Sequence, residues 1–214
     1  MFAEMNVQGC FPTPIWVFRV ADHENFNRRL LEVVEKFRAA EGIDAASIAQ
    51  RGGPKDHIQS RDDLHTMNEF AEFNALAMGA AKNVFAFLKC QYETFYLTSL
   101  WFNISVRGYS HKTHVHPNNY LSGVYYAKAH DNCGRIVFDD PRPQVKVLIP
   151  DIVAPTEFNT HSFEIQPQIG DMVLFPSWLS HRVQANASDH ERMSVSFNVM
   201  FKGRFGFERA YANL

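Results

Sequence analysis

From Cys90 to the end of the chain, β-branched and aromatic residues alternate with polar ones at a period of two, the spacing of a pleated strand and not of a helix. The clearest case is Arg192–Lys202. Met193, Val195, Phe197, Val199 and Phe201 fall on one parity, and Arg192, Ser194, Ser196 and Asn198 fall on the other. Strands read the same way over Thr94–Val106, Tyr120–Lys128, Arg135–Asp139, Val145–Ile149, Phe163–Gln166 and Asp171–Phe175, with Gly, Pro, Asn and Asp between them. Short strands at this spacing predict an antiparallel sandwich or barrel. In Trp101–Arg107 the residues Asn103, Ser105 and Arg107 oppose Phe102, Ile104 and Val106, so two polar strand faces can look into one cavity.

The first ninety residues carry a different signal. Pro12 and Pro14 forbid helix, and the apolar run that follows in Phe11–Val20 reads as an edge strand. Asp22 offers an N-cap to a helix in which Phe26, Leu30, Val33, Val34 and Phe37 recur at helical spacing, and Gly42 offers its stop. Ala49–Asp63, rich in Gly, Pro and charge, reads as a connection or a lid. A second helix is expected over Met67–Lys89, its inner face built from Phe70, Phe73, Ala77, Ala80, Val84 and Phe87. At 214 residues one domain is expected, 1–93 supplying an edge strand and supporting helices and 94–214 the β core.

Charge narrows the partners. Lys and Arg number 21 against 23 Asp and Glu, with no basic block, so no nucleic-acid partner is expected. Polar residues interrupt every apolar stretch, and the start of the chain has no secretory pattern, so no membrane partner is expected either. Cys10, Cys90 and Cys133 are odd in number and far apart, which reads as reduced thiols in a cytoplasmic protein.

His114 and His116 lie two apart in an extended segment, where side chains of equal parity leave the same face and can converge on one ion. His181 follows in FPSWLSH, and Arg192 stands eleven residues later. Two imidazoles from one strand end, a third from a distant strand and a cation beyond point to a mononuclear metal site holding an anionic co-substrate. The other histidines read as loop or surface residues: His111 in a loop, and His23, His57, His65, His130, His161 and His190 at the surface. Trp178 reads as pocket wall or as packing. Asp140-Pro141-Arg142 reads as a proline-fixed turn or a place where Arg142 meets an anion.

The spacing Asn103-x-Ser105-x-x-Gly108-x5-His114-x-His116 resembles the N-x-Y-x-x-G-x5-H-x-D signature of Fe(II)/2-oxoglutarate-dependent oxygenases. LSGVYYAKAHDNCGRIVFDDPRP, IQPQIGDMVLFPSWLSHRV and ERMSVSFN resemble a bacterial and phage family of 2OG-Fe(II) oxygenases related to the prolyl hydroxylases. The resemblance spans Leu100–Phe201 and implies a double-stranded β-helix, a cupin-like jelly roll with the N-terminal helices packed on its outer face. It places His114, His116 and His181 as metal ligands, Arg192 as the cation gripping 2-oxoglutarate, and Asn103, Ser105 and Asn198 as further co-substrate contacts. The implied reaction is hydroxylation of a small-molecule or peptidyl substrate with Fe(II), 2-oxoglutarate and O2. The sequence departs from the signature in one respect: His116 stands where a carboxylate is usual, so Ni or Zn can occupy the purified site, and Asp139 or Asp140 is a possible substitute carboxylate, read as structural. Two alternatives follow, a three-histidine dioxygenase that does not use 2-oxoglutarate and a non-catalytic metal- or ligand-binding jelly roll.

Overall fold

Polar and apolar alternation is realised as two facing sheets. The computed structural model describes residues 4–42, 57–206 and 211–213. Its strands, in chain order, are β1 (Trp16–Arg19), β2 (His57–Gln59), β3 (Thr94–Ser105), β4 (His111–His114), β5 (Leu121–Lys128), β6 (Ile136–Asp139), β7 (Ser162–Ile165), β8 (Asp171–Pro176), β9 (His181–Val183) and β10 (Arg192–Lys202), followed by a small hairpin of β11 (Arg204–Phe205) and β12 (Ala212–Asn213). One sheet runs β1-β8-β5-β10-β3-β2 and the other β4-β9-β6-β7. All their pairings are antiparallel. Between β3 and β10 the chain passes from sheet to sheet as it winds, and the result is a double-stranded β-helix, the jelly roll expected from the sequence.

Helices α1 (His23–Glu41) and α2 (Ala71–Leu88) supply the outer layer. Phe26, Leu30, Val34 and Phe37 of α1 join Phe73, Ala77, Ala81, Val84 and Phe85 of α2 in one core with Val195, Phe197 and Val199 of β10. Burying each such Phe or Leu is worth roughly 2 kcal/mol, more than the helix propensity of its residue, so the sheet face holds these helices in place. Asn27 adds a polar tie: its Oδ1 accepts the Tyr125 hydroxyl at 2.7 Å and its Nδ2 donates to the Ala127 carbonyl at 3.3 Å. Among the described residues no helix is long and apolar enough to cross a membrane.

Several local expectations are corrected. Val145–Ile149 forms no strand. Pro143–Lys146 makes a 3-10 turn, and Val147 and Leu148 are 83% and 86% exposed, because no neighbouring strand pairs with this apolar run. Asp22 stands before α1 with φ 50°, and its carboxylate accepts from Asn25 Nδ2 instead of capping the helix backbone. The second helix begins only at Ala71, after two 3-10 turns, and Phe85, not Phe87, faces the core. Phe87 is exposed and meets the edge of Trp16. The lid expectation for Ala49–Asp63 falls largely on positions 49–56, outside the described residues; His57–Gln59 within that stretch is strand.

Candidate metal centre and its pocket

β4 ends on His114, whose Cα partner across the antiparallel pair is His181 of β9. That register sets the first and third histidines face to face. The His116 amide then donates to the Ser177 carbonyl at 2.9 Å, which ties this stretch to the connection between β8 and β9, and Val115 is half exposed. One ligating nitrogen from each of His114, His116 and His181 lies within 4.8 Å of the others. The rings are 4.3 Å (His114 to His181), 5.1 Å (His114 to His116) and 5.2 Å (His116 to His181) apart.

Two of the three are oriented by the backbone. His114 Nδ1 lies 2.8 Å from the Lys112 carbonyl, and His181 Nδ1 lies 2.9 Å from the Leu179 carbonyl. A carbonyl only accepts, so each Nδ1 carries the proton and each Nε2 keeps its lone pair for an ion. Burial pushes the His181 imidazole down to about 3, with His114, His116 and His111 adding to the effect and the Leu179 carbonyl opposing it. Burial likewise lowers His116 to about 4, helped by His114 and His111. Both are neutral at physiological pH, the form a metal requires. Three imidazole nitrogens fit Fe(II), and also Ni or Zn.

Asp139 and Asp140 are not part of this set. Asp139 is paired with Arg182 at 2.6 Å and Asp140 with Arg142 at 2.7 Å. The second pair lies within the Asp140-Pro141-Arg142 turn, so Arg142 has a carboxylate partner there.

From the histidines a cavity of about 60 Å³ runs toward Arg192, walled by Asn103, Ser105, Tyr126, Ser194 and Ser196 among others. Arg192 is 4% exposed. Its Nη1 donates to the Cys133 carbonyl at 2.7 Å and its Nη2 to Ser105 Oγ at 3.2 Å, and no carboxylate answers it among the described residues. Asn103 donates to Ser196 Oγ at 3.3 Å while its Oδ1 is buried with no partner. Burial holds the Tyr126 phenol well above its usual range, so it enters the cavity as a neutral hydroxyl. Trp101 lies across from His116, 5.9 Å between ring centres, and completes the wall.

Other sequence expectations fare differently. Asn198 does not reach the cavity wall: its Oδ1 accepts from Ser122 Oγ at 2.7 Å and its Nδ2 donates to Ser99 Oγ at 2.8 Å. Arg107, expected to point inward, is exposed and paired with Asp189. Trp178 is also exposed. His130, His161 and His190 lie at the surface as expected, whereas His23 and His65 are half-buried.

His111 and His57, expected in a loop and at the surface, both line the cavity. A register shift in the β4–β9 pair between His111 and His114 brings the His111 ring onto His114, 4.5 Å away and stacked, and burial lowers it to about 4. His57 is 8% exposed and lines the same cavity. Strand parity cannot disclose a bulge, and nothing near His57 in the sequence marks it.

Comparison with known proteins agrees with this geometry. Residues 99–198 match the sequence model of the family described as "Putative 2OG-Fe(II) oxygenase". No curated protein matches. The fold is similar to a Pseudomonas putida prolyl-4-hydroxylase at 14% identity, covering 89% of this chain and 94% of that one, with a TM-score of 0.57. It is also similar to the non-heme alpha ketoglutarate dependent carbocyclase SnoK from nogalamycin biosynthesis (14% identity, 89% and 80% covered, TM-score 0.60). A third likeness is to AviO1 from Streptomyces viridochromogenes Tue57 (14% identity, 88% and 90% covered, TM-score 0.57). Matched stretch and fold coincide: residues 99–198, which match the 2OG-Fe(II) oxygenase family, run from β3 into β10 of this jelly roll.

Proposed function

We propose that the chain is an Fe(II)- and 2-oxoglutarate-dependent oxygenase, hydroxylase in type, in which His114, His116 and His181 hold the metal and Arg192 holds the far carboxylate of the co-substrate. Arg192 carries the reading. A guanidinium removed from water and met only by a carbonyl and a hydroxyl is costly unless a counter-charge arrives, and a dicarboxylate entering the cavity brings one. Ser105 and the Cys133 carbonyl fix the plane of the guanidinium so that its remaining N–H groups can form a charge-assisted pair. Asn103 contributes by turning its amide over: Oδ1 then takes the Ser196 hydroxyl, and Nδ2 faces the acceptor-only carboxylates. The Tyr126 hydroxyl is a further neutral donor. Trp101 and Phe175 limit water around the histidines.

The histidine set fits the metal: three imidazole nitrogens, two oriented by backbone carbonyls, leave the rest of the coordination sphere for co-substrate and O2. When bound, the iron couples conversion of 2-oxoglutarate and O2 to succinate and CO2 with oxidation of a second substrate. That substrate is a small molecule or a peptidyl side chain in this reading. Three free cysteines support a reducing compartment, the cytoplasm.

The test is calorimetric titration of 2-oxoglutarate into Fe(II)-loaded protein without oxygen. Wild type binds below the millimolar range, and Arg192→Ala loses about one to two powers of ten in affinity, the equivalent of a charged hydrogen-bonded pair, with metal content unchanged. No binding by wild type at millimolar 2-oxoglutarate replaces this reading with a three-histidine enzyme of other chemistry or a non-catalytic jelly roll.

A further inference from the structure

His57 comes from β2, an edge strand added to the large sheet outside residues 99–198, and the register makes its position an obligation. Ser105 of β3 is the Cα partner of His57 on one side and of Arg192 on the other. The three residues form one row across three adjacent strands, where opposed side chains share a face and touch. Arg192 Nη2 lies 3.2 Å from Ser105 Oγ, and Ser105 Oγ lies 3.4 Å from His57 Nδ1. Arginine only donates, so Ser105 Oγ accepts from it and keeps its single proton for a second partner; His57 Nδ1 is that partner in the tautomer whose Nδ1 is unprotonated. The His57 ring is itself fixed: it stacks on Tyr109 with 3.9 Å between centres and 3° between planes. The other named walls of the cavity, from Trp101 to Ser196, lie inside the matched stretch; His57 alone lies before it.

We propose that His57 is a positioning residue for the co-substrate. It orients the Ser105 hydroxyl, and Ser105 in turn holds the Arg192 guanidinium at the angle that receives the far carboxylate. The proposal rests on the 2-oxoglutarate reading above. His57 is not one of the three histidines grouped for a metal, so its removal weakens co-substrate binding and leaves metal loading alone.

The experiment is a double-variant cycle on Fe(II)-loaded protein, read by anaerobic titration of 2-oxoglutarate, with iron content and melting temperature measured on every variant. His57→Phe keeps the stack on Tyr109 and removes the acceptor. It is expected to bind 2-oxoglutarate about three- to tenfold more weakly, the range of one hydrogen bond, at unchanged iron content. His57→Gln keeps an acceptor, gives up the stack, and stays nearer to wild type. Added to Arg192→Ala, His57→Phe has no further effect, because the group it positions is gone. Wild-type affinity in His57→Phe, a weaker His57→Gln than His57→Phe, or an undiminished effect of His57→Phe in the Arg192→Ala background each overturns the proposal. If wild type itself does not bind 2-oxoglutarate, the underlying reading has failed and the proposal falls with it. If wild type binds and Arg192→Ala weakens it while His57→Phe does not, only the role of His57 is refuted.

Discussion

Gly134 is the residue behind Arg192, and its replacement by alanine separates the guanidinium's placement from the mere presence of its charge. The turn at Asn132-Cys133-Gly134 presents the Cys133 carbonyl to Arg192, with Gly134 at φ +89°. A Cβ there would stand 2.2 Å from the Gln184 carbonyl oxygen and 3.0 Å from Arg192 Nη1. The left-handed conformation alone costs an L-residue roughly 1–2 kcal/mol. The carbonyl contact is with backbone, held in place by the Gln184 amide donating to the Arg135 carbonyl at 2.9 Å, so it cannot be relieved by a rotamer change. Overpacking of this kind costs about 1–3 kcal/mol. Together the two lower the melting temperature by about 5–15 °C in a chain of this size. Because the new methyl displaces Nη1, affinity for 2-oxoglutarate should also fall, by about tenfold, the loss of one charged hydrogen bond. Gly108 is the control: it has φ +92° but nothing within 4 Å of its would-be Cβ. Gly108→Ala carries only the conformational cost and leaves co-substrate affinity intact. Scanning calorimetry and anaerobic titration measure both quantities. Equal effects of the two substitutions, or a destabilised Gly134→Ala with wild-type affinity for 2-oxoglutarate, would refute the argument that this turn positions Arg192.

Stripping the metal with a chelator should lower the melting temperature, since an ion bound only by the folded state stabilises it by mass action, about 2.7 kcal/mol at a hundredfold excess over Kd. The loss should be absent in His181→Ala; elemental analysis of His114→Ala, His116→Ala and His181→Ala should show depleted metal, and full occupancy in all three would remove the triad. In the metal-free protein the depressed imidazoles set a pH dependence. His181 at about 3 and His116 at about 4 stay neutral when folded, against 6.5 for the ordinary group, so between these values the unfolded chain binds more protons. Their contribution is therefore complete above pH 6.5 and lost as pH falls toward 4, and a melting temperature of the metal-free protein that holds level from pH 7.5 to 4.5 would contradict their burial as neutral rings.

What was legible in the sequence is what parity encodes. Parity placed Arg192, Ser194 and Ser196 on one face of β10 and Asn103 and Ser105 on one face of β3, and the register between those strands sets Arg192 against Ser105 and Ser194 against Asn103. His114, His116 and His181 were legible as an arrangement because two lie at the same parity and the third opens a later strand. Parity failed where the deciding fact was a partner. Val145–Ile149 has the composition of a strand but no neighbour to pair with, and so became a turn and exposed chain. Asn198 has the parity of Arg192 but lies farther along β10, where Ser99 and Ser122 take both ends of its amide.

Pairing also explains why the cavity holds residues that periodicity assigned elsewhere. His111 shares no parity with His114, yet the register shift between them lets both rings turn to one side. His57 sits on a three-residue strand, too short to show a period, and meets Ser105 only because β2 adds to the edge of β3. His114, His116, His181 and Arg192 lie within the stretch that matches the oxygenase family, whereas the support behind Arg192 includes an edge strand outside that stretch. Replacing β2 while keeping residues 99–198 should therefore alter the hold on the co-substrate and spare the hold on the metal.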